Sequence, residues 1–109
     1  MTDLDKLIEA VDAGSIAASD LDPFARAFGV TSAANDAHMA YRGSLDAAKA
    51  LHDALLPGWV FEVAVRPLGG PAAAVWRPKH KEMFDAIANT PARAWLLAIL
   101  KAHRSQVQP

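Results

Sequence analysis

The segment from Gly43 to Trp59, with the sequence GSLDAAKALHDALLPGW, constrains the fold more than any other part of the chain. It predicts a helix over residues 45–56. The Ser44 hydroxyl can accept a free amide hydrogen of the first turn, and the pair Pro57-Gly58 cannot continue a helix. Apolar residues recur at three- and four-residue steps, so one face is expected to be buried and the other solvated. The apolar face comprises Leu45, Ala48, Leu51, His52 and Leu55, and the polar face comprises Asp46, Lys49 and Asp53.

After Gly58 the apolar residues change from a helical period to alternation, which is typical of a half-buried strand. This strand is expected over residues 59–65, with odd-numbered side chains on one face and even-numbered side chains on the other. A turn rich in glycine and proline follows at 67–71, and residues 72–76 form the antiparallel partner, since so short a connection excludes a parallel crossover. Within 79–89 the alternation favours a third strand over a helix, which propensity also permits.

Four further helices are predicted from their caps and apolar stripes. Thr2 caps the first, Asp22 caps the second ahead of Pro23, and Thr31 or Ser32 caps the third. The pair Thr-Pro at 90–91 begins the last. These helices are expected to span residues 3–13, 22–28, 32–41 and 90–103.

The last predicted helix is apolar almost all round. A helix of this kind is either central to the core or has a second face that another chain covers. A homodimer through this C-terminal helix would supply that cover. One face carries Ala92, Trp95, Leu96, Ile99, Leu100 and His103, and the other face carries Leu97 and Ala98.

The chain of 109 residues is long enough for one domain, which would bury about two-thirds of the surface that its unfolded chain exposes. Apolar residues make up 52% and no apolar run approaches the roughly 20 residues needed to cross a bilayer, so we expect a soluble protein without membrane contact. The acidic N-terminus does not match a secretion signal and cysteine is absent, which predicts the cytoplasm of the host cell.

The predicted fold class is α+β, with a small antiparallel sheet of two or three strands packed with helices and preceded by a helical N-terminal segment. We expect a single domain over residues 1–109. Residues 1–42 would form the helical lead-in, and residues 43–104 would form a helix–hairpin–helix sandwich core.

The order of helix, Pro-Gly-Trp, strands, Thr-Pro and helix resembles the phage α-β-α sandwich domain, a small family of phage and prophage proteins. The residues that carry the resemblance are Tyr41, the segment 43–59, and TPARAWLLAILKA at Thr90 to Ala102. The resemblance implies a phage or prophage origin, helices packed on a short antiparallel sheet, and no agreed biochemical role. The basic sequence PKHK at 78–81 departs from the family's milder segment.

Net charge is −1, but acids and bases are unevenly divided. Residues 1–53 carry nine acidic and four basic side chains, whereas residues 54–109 carry three acidic and seven basic ones. The two halves can attract one another, or either can attract a charged partner. A small phage protein with an acidic first helix could occupy a nucleic-acid channel on a host protein and so inhibit a defence complex such as CRISPR. The carboxylates that predict this surface are Asp3, Asp5, Glu9 and Asp12.

Two segments suggest weak nucleic-acid binding instead. The first is a basic loop whose charges are accompanied by a possible stacking ring: Trp76, Arg77, Lys79 and Lys81. The second is residues 23–43, which have the helix, turn and helix of a helix-turn-helix motif. Its second helix carries Asp36 and no base before Arg42, so a phosphate backbone would be repelled.

Residue types that carry catalysis or bind metals do not cluster in the sequence. The four histidines do not match a helical zinc pattern, and cysteine is absent. Ser44, Asp46 and His52 share a helix but point to different sides, which excludes a nucleophile–base geometry. Glu62 and Asp85 could face each other across strands, although solvated strand acids are the commoner outcome. The sequence therefore predicts no catalytic residues, no metal and no cofactor.

The leading interpretation is a non-enzymatic phage or prophage accessory protein that acts by contact with a host or phage protein. The alternative is a weak nucleic-acid-binding protein that uses the basic C-terminal half or residues 23–43.

Overall fold

The computed structural model describes residues 2–108 and has the predicted α+β class, with five helices and one antiparallel sheet of three strands in that part of the chain. The third strand is present, and the last helix extends one turn beyond its predicted end. The elements in chain order are α1 (Asp3–Ala13), α2 (Asp22–Phe28), α3 (Ser32–Tyr41), α4 (Leu45–Leu55), β1 (Val60–Arg66), β2 (Gly70–Trp76), β3 (Met83–Ile87) and α5 (Pro91–Val107).

Side-chain caps determine where four of the helices begin. Each capping hydroxyl accepts a hydrogen bond from the amide three residues later, at 3.1 to 3.3 Å, and so satisfies one of the free donors of the first turn. At α1 the cap is reciprocal, because the carboxylate of Asp5 also accepts from the backbone amide of Thr2 at 3.0 Å. The four capping residues are Thr2, Thr31, Ser44 and Thr90.

Two local predictions are wrong. Asp22 does not cap α2: Leu21 is the N-cap, Asp22 is the first helical residue, and the side chain of Asp20 accepts from its amide at 3.1 Å. Leu45 was expected on the buried face of α4 but is 48% exposed. It occupies the first helical position, where a side chain points back towards the N-terminus and past the surface on which the rest of the helix packs.

The sheet has the order β1–β2–β3, with both pairs antiparallel. Val63 pairs with Ala73, which pairs in turn with Ala86, so these residues form one row across the sheet. The helix-forming residues of β3 adopt a strand because alternation buries Ala86 and half-buries Phe84 while Asp85 stays exposed. Tertiary packing thus overrides local propensity.

Helix α5 is the centre of the core. It contacts α1, α3 and α4 as well as all three strands, so its apolar residues are covered within one chain. Of the two alternatives that the sequence left open, the structure shows the central position in the core, so the apolar residues of α5 do not need a homodimer to cover them. The buried residues of α5 are Ala92, Ala94, Trp95, Leu96, Leu97, Ala98, Ile99, Leu100 and Ala102.

The helical lead-in packs on the same core as the rest of the chain. The apolar side chains of α1 are buried, and the N-terminal end of this helix contacts the C-terminal end of α5. Arg104 donates to Asp5 at 3.3 Å, and Gln108 donates to the hydroxyl of Thr2 at 2.9 Å. These contacts explain why α5 continues to Val107.

All contacts between helices and the sheet involve one side of the sheet. Phe61 stacks on Trp95 of α5 at 4.4 Å between ring centroids, and Val75 is fully buried. Helix α4 approaches the sheet only at this side, where the ring of His52 lies 5.1 Å from that of Phe61. Within residues 2–108 no helix covers the opposite side, where Glu62, Met83 and Asp85 are exposed and only strand residues line the surface, so the arrangement has two layers rather than the three of a sandwich. No helix among these residues is long and apolar enough to span a membrane.

Truncation of Leu97 should test the central position of α5. Leu97 is 1% exposed, so Leu97→Ala should lower the free energy of unfolding by about 2–5 kcal/mol through lost burial and a cavity. Val107→Ala is the matched control on the same helix, with a side chain that is 53% exposed, and should change it by less than about 0.5 kcal/mol. Denaturant unfolding at two protein concentrations measures both. A Leu97 effect that grows with protein concentration would indicate an interface between chains instead of a core.

The carboxyl of Asp5 should make stability depend on pH in the acid range. Hydrogen bonds from the Thr2 backbone and then its hydroxyl lower the pKa of Asp5 below its ordinary value of 3.8. A carboxyl with a depressed pKa stabilises the fold above its unfolded-state pKa, and this contribution is lost as the pH falls through the folded-state pKa. Asp5→Asn should therefore be destabilising near neutral pH, and its difference from the unmutated chain should shrink below pH 3.8.

The measurement is the free energy of unfolding between about pH 7 and pH 2 for the unmutated chain and the variant. Glu9→Gln is the control, because Glu9 is exposed on the same helix and has no ion-pair partner among residues 2–108. A difference for Asp5→Asn that is constant or grows as the pH falls would contradict the assigned role of the charge.

Candidate functional site

The side of the sheet that no described helix covers is the candidate site, and we call it the outer face. Antiparallel register places residues in rows across the three strands, and alternation determines which rows share a side. The outer face comprises Val60, Glu62, Ala64, Arg66, Ala72, Ala74, Trp76, Met83, Asp85 and Ile87.

A groove of about 330 Å³ lies on this face. Alanines line its centre because Ala64, Ala72 and Ala74 lie beside one another on β1 and β2, and small side chains leave room above the strands. Trp76 and Met83 are directly paired at one end of the groove. The groove therefore offers an apolar floor with one large aromatic ring beside it.

Two carboxylates stand on either side of the floor. Glu62 and Asp85 both pair with Ala74, one from β1 and one from β3, so they belong to the same row. Two strand spacings separate them, about 10 Å, and both are exposed, so they are solvated strand acids, as was considered the commoner outcome, and not a directly facing pair. Neither carboxylate has an ion-pair partner within residues 2–108, and the same is true of Arg66, which also lines the groove. The groove carries two negative charges and one positive charge around apolar surface.

The structure separates the residues of the predicted basic site. Trp76 lies on the outer face beside Met83, whereas Arg77 turns away from it and contacts Trp59 with its guanidinium 5.4 Å from the ring centroid. Arg77 also pairs with Glu82 at 3.5 Å, and its Nε is buried without an acceptor among the described residues. The remaining bases, Lys79 and Lys81, are exposed in the loop before β3. Trp76 therefore shares its surface with two acids, not with the basic cluster.

The structure also divides the predicted acidic site. The carboxylate of Asp5 already accepts hydrogen bonds from the Thr2 amide at the cap of α1 and from Arg104. Asp3 lies on the other flank of the apolar stripe, where it lines a groove of about 210 Å³ together with Lys6 and Arg26.

Only the remaining two carboxylates of α1, Glu9 and Asp12, form an exposed acidic flank. This flank is smaller than the four-carboxylate surface predicted from the sequence.

The helix-turn-helix candidate buries the face that packs on the core, including Ala37, His38 and Tyr41 of α3. Its exposed positions include Asn35 and Met39. With Asp36 partly exposed and no base before Arg42, α3 offers no positive surface to a phosphate backbone. The structure therefore agrees with the sequence argument that this segment lacks the positive charge a DNA-binding helix needs.

The histidines lie apart: His38, His52 and His103 contribute to packing, whereas His80 is exposed in the loop before β3. His52 accepts from Trp95 Nε1 at Nδ1, so its Nε2 carries the hydrogen and donates to the carbonyl of Trp59 at 3.0 Å. His38 contacts the carbonyl of Ala18 at 2.7 Å. Burial lowers the pKa of His103, which lies against a ring of α2. No group of histidines and acids suited to a metal ion occurs in the part of the chain that the structure describes.

A larger groove of about 480 Å³ lies where α1 ends, between the β1–β2 turn and the start of α5. Arg93 lines it, but two of its nitrogens already donate to the carbonyl of Tyr41, at 3.1 and 3.2 Å, and its guanidinium lies 4.0 Å from the ring centroid of Tyr41. Asp12 also lines this groove. The mixed charges and the engaged guanidinium make it a weaker candidate than the outer face.

Sequence reasoning found the alternation of the strands but did not identify the outer face as the site. The charges of Glu62 and Arg66 do indicate which side of β1 faces away from the core, but the sequence does not reveal whether another element covers that side. One available signal was the run Ala72-Ala73-Ala74, whose small side chains are unusual in a strand and favour close approach by another group.

Comparison with protein-family models, with curated proteins and with solved structures finds no match to this chain. The resemblance to the phage α-β-α sandwich domain therefore rests on the quoted sequence segments alone.

Proposed function

We propose that this chain is a non-enzymatic accessory protein that acts by binding another protein, and that the outer face of the sheet is the surface of contact. The observation that carries the proposal is that Trp76, Met83 and Ile87 lie on a face without a covering helix among residues 2–108. Met83 is 58% exposed and Ile87 is 56% exposed. Contiguous apolar surface of this kind marks interaction sites in folded proteins.

Two large side chains of the outer face, Trp76 and Met83, are of types found at protein interfaces. Tryptophan and methionine are enriched at interface centres, and a tryptophan beside a groove is a frequent source of binding energy. The carboxylates of Glu62 and Asp85 flank the apolar floor on both sides, so a partner with lysine or arginine next to apolar residues would satisfy both features. We infer that the partner contributes an apolar segment that also carries positive charge.

The phage or prophage origin implied by the resemblance makes a host or phage protein the proposed partner, in the cytoplasm of the host cell. A host defence complex such as CRISPR is one class of partner within this proposal. Asp5 is paired with Arg104, and Asp3 lies beside Lys6 and Arg26. Both observations weaken the idea that α1 imitates nucleic acid. The outer face is therefore preferred to α1 as the binding surface.

Weak nucleic-acid binding is the second candidate function, and the exposure of Lys79 and Lys81 favours it. Affinity that comes from phosphate contacts falls steeply with salt. Binding to DNA or RNA that is tight at low salt, collapses at moderate salt and is lost in the Lys79→Ala/Lys81→Ala double variant would support this function.

Substitution of Met83 should test the outer face directly. Met83→Glu introduces a charge into the apolar part of the face, and we expect it to weaken partner binding at least about tenfold. Val107→Glu is the matched control, because Val107 is 53% exposed but lies at the end of α5, away from the sheet. Proteins retained from host cells on the unmutated chain are identified, and their affinities for both variants are then measured with purified components.

Both variants should unfold at the same temperature as the unmutated chain, which shows that lost binding is not lost folding. A partner that binds the Met83 variant as tightly as the unmutated chain would contradict the proposed surface. A partner lost equally with both variants would contradict it as well.

A further inference from the structure

The two edges of the sheet differ in how they are protected. Strand β3 has five residues, and the ammonium of Lys101 donates to the outward backbone carbonyl of Asp85 at 3.2 Å. Strand β1 has seven residues in unbroken register with β2 and contains neither proline nor lysine. On its other edge, no backbone group of Val60–Arg66 has a hydrogen-bond partner among residues 2–108. Natural sheets normally blunt such an edge with lysine, proline or a bulge, and β1 has none of these, although it carries one acid and one arginine.

The side chains of β1 are also more exposed than those of a strand that packs fully within one chain. Val65 is 71% exposed and Phe61 is 38% exposed, although both belong to the side of the sheet that faces the helices. Glu62 and Arg66 share the outer face, carry opposite charges, and have no ion-pair partner among the described residues. The edge therefore combines available backbone groups, apolar side chains and one charge of each sign.

These features are complementary to the same edge of a second copy. When two identical strands pair antiparallel about a two-fold axis, one residue lies opposite itself and sets the register. An axis at Glu62 would place like charges opposite each other, and an axis at Val63 would place Glu62 opposite Ala64. An axis at Ala64 places Glu62 opposite Arg66 of the second copy twice, and Val63 opposite Val65 twice. Directly opposed residues have Cβ atoms about 4.5–5.5 Å apart, close enough for ion pairs and apolar contact.

We propose that β1 is a self-association edge and that two copies join along it, antiparallel about Ala64, into one six-stranded sheet. The two-fold axis is perpendicular to the sheet, so both outer faces lie on the same side and become continuous. The unpartnered backbone groups of β1 bond to each other, Val65 is covered, and the charges of Glu62 and Arg66 are paired. This inference goes beyond the proposed function and does not depend on it.

Charge variants test the edge. Sedimentation equilibrium from about 5 to about 500 μM should give a reversible dimer for the unmutated chain. Glu62→Arg or Arg66→Glu alone opposes like charges and should weaken dimerisation at least about tenfold. An equimolar mixture of the two single variants should form a heterodimer, because every opposed pair then has opposite charges. Asp85→Arg is the control, since Asp85 lies in the same row as Glu62 but on β3.

A chain that stays monomeric throughout this range, or a dimer that persists in both single charge variants, overturns the proposal. Thermal unfolding of each variant shows that the monomer is folded. These outcomes are independent of partner binding at Met83, which is measured with a different variant and a different ligand.

Single cysteines test the register. The chain contains no cysteine, so each introduced one can cross-link only to its own copy. Ala64→Cys should form an intermolecular disulfide rapidly on mild oxidation, because the two Cα atoms would lie about 4.5–5.5 Å apart across the axis. Val63→Cys and Glu62→Cys should cross-link more slowly. Faster cross-linking at either of these two positions than at Ala64 overturns the assigned register.

Discussion

The need to cover helix α5 on every side organises the whole molecule. Its apolar residues extend round almost the full circumference, so no single neighbouring element can bury them. Helices α1, α3 and α4 cover part of the surface and the sheet covers the rest. Each of these elements has one apolar side to contribute, and that side is directed at α5. The other sides of the same elements remain for solvent or for a partner.

Polar bonds position the covering elements around α5. Trp95 of α5 donates to His52 of α4, and His52 donates to the carbonyl of Trp59 just before β1, so one chain of bonds joins two layers. On the opposite side Arg93 of α5 donates to the carbonyl of Tyr41, whose hydroxyl bonds to the backbone of the α1–α2 connection. Buried polar groups that are satisfied in this way favour one arrangement over similar alternatives. The apolar core determines that the elements pack, and these bonds determine how.

Much of the fold could be predicted from the sequence because its signals are local. Caps and stops such as Thr2, Ser44 and Pro57-Gly58 act within a few residues, so helix positions followed directly. The cap of α2 was misplaced because Asp22 is a residue type that favours the N-cap, whereas the geometry of the connection puts Leu21 at that position and lets Asp20 accept from the amide of Asp22. The third strand could only be favoured, since its side chains acquire a buried side when Ala86 meets Ala73 on the neighbouring strand.

The candidate site was less predictable because it depends on which side of the sheet is left uncovered. Trp76 was assigned to the basic loop because it precedes Arg77 in the sequence. Successive residues of a strand point to opposite sides, so adjacency in sequence separated the two in space. Likewise, the four acids of α1 are close in sequence, but the cap and the helical period distribute them among different surroundings. A site formed by residues of neighbouring strands can be predicted only when the pairing register of those strands is known, and the sequence does not give this register.

The distribution of charge also distinguishes the outer face from the rest of the C-terminal half. Residues 54–109 contain seven basic side chains and only three acidic ones. Of those three, Glu82 pairs with Arg77, and the other two, Glu62 and Asp85, both lie on the outer face. The ion pair of Arg104 with Asp5 joins the acidic and basic halves of the chain. Most of the other charges of the two halves do not form ion pairs with one another within the described fold. Even with Arg66 beside them, Glu62 and Asp85 give the groove a net negative charge on an otherwise basic half, which would orient a positively charged partner towards the groove while the surrounding bases repel it elsewhere.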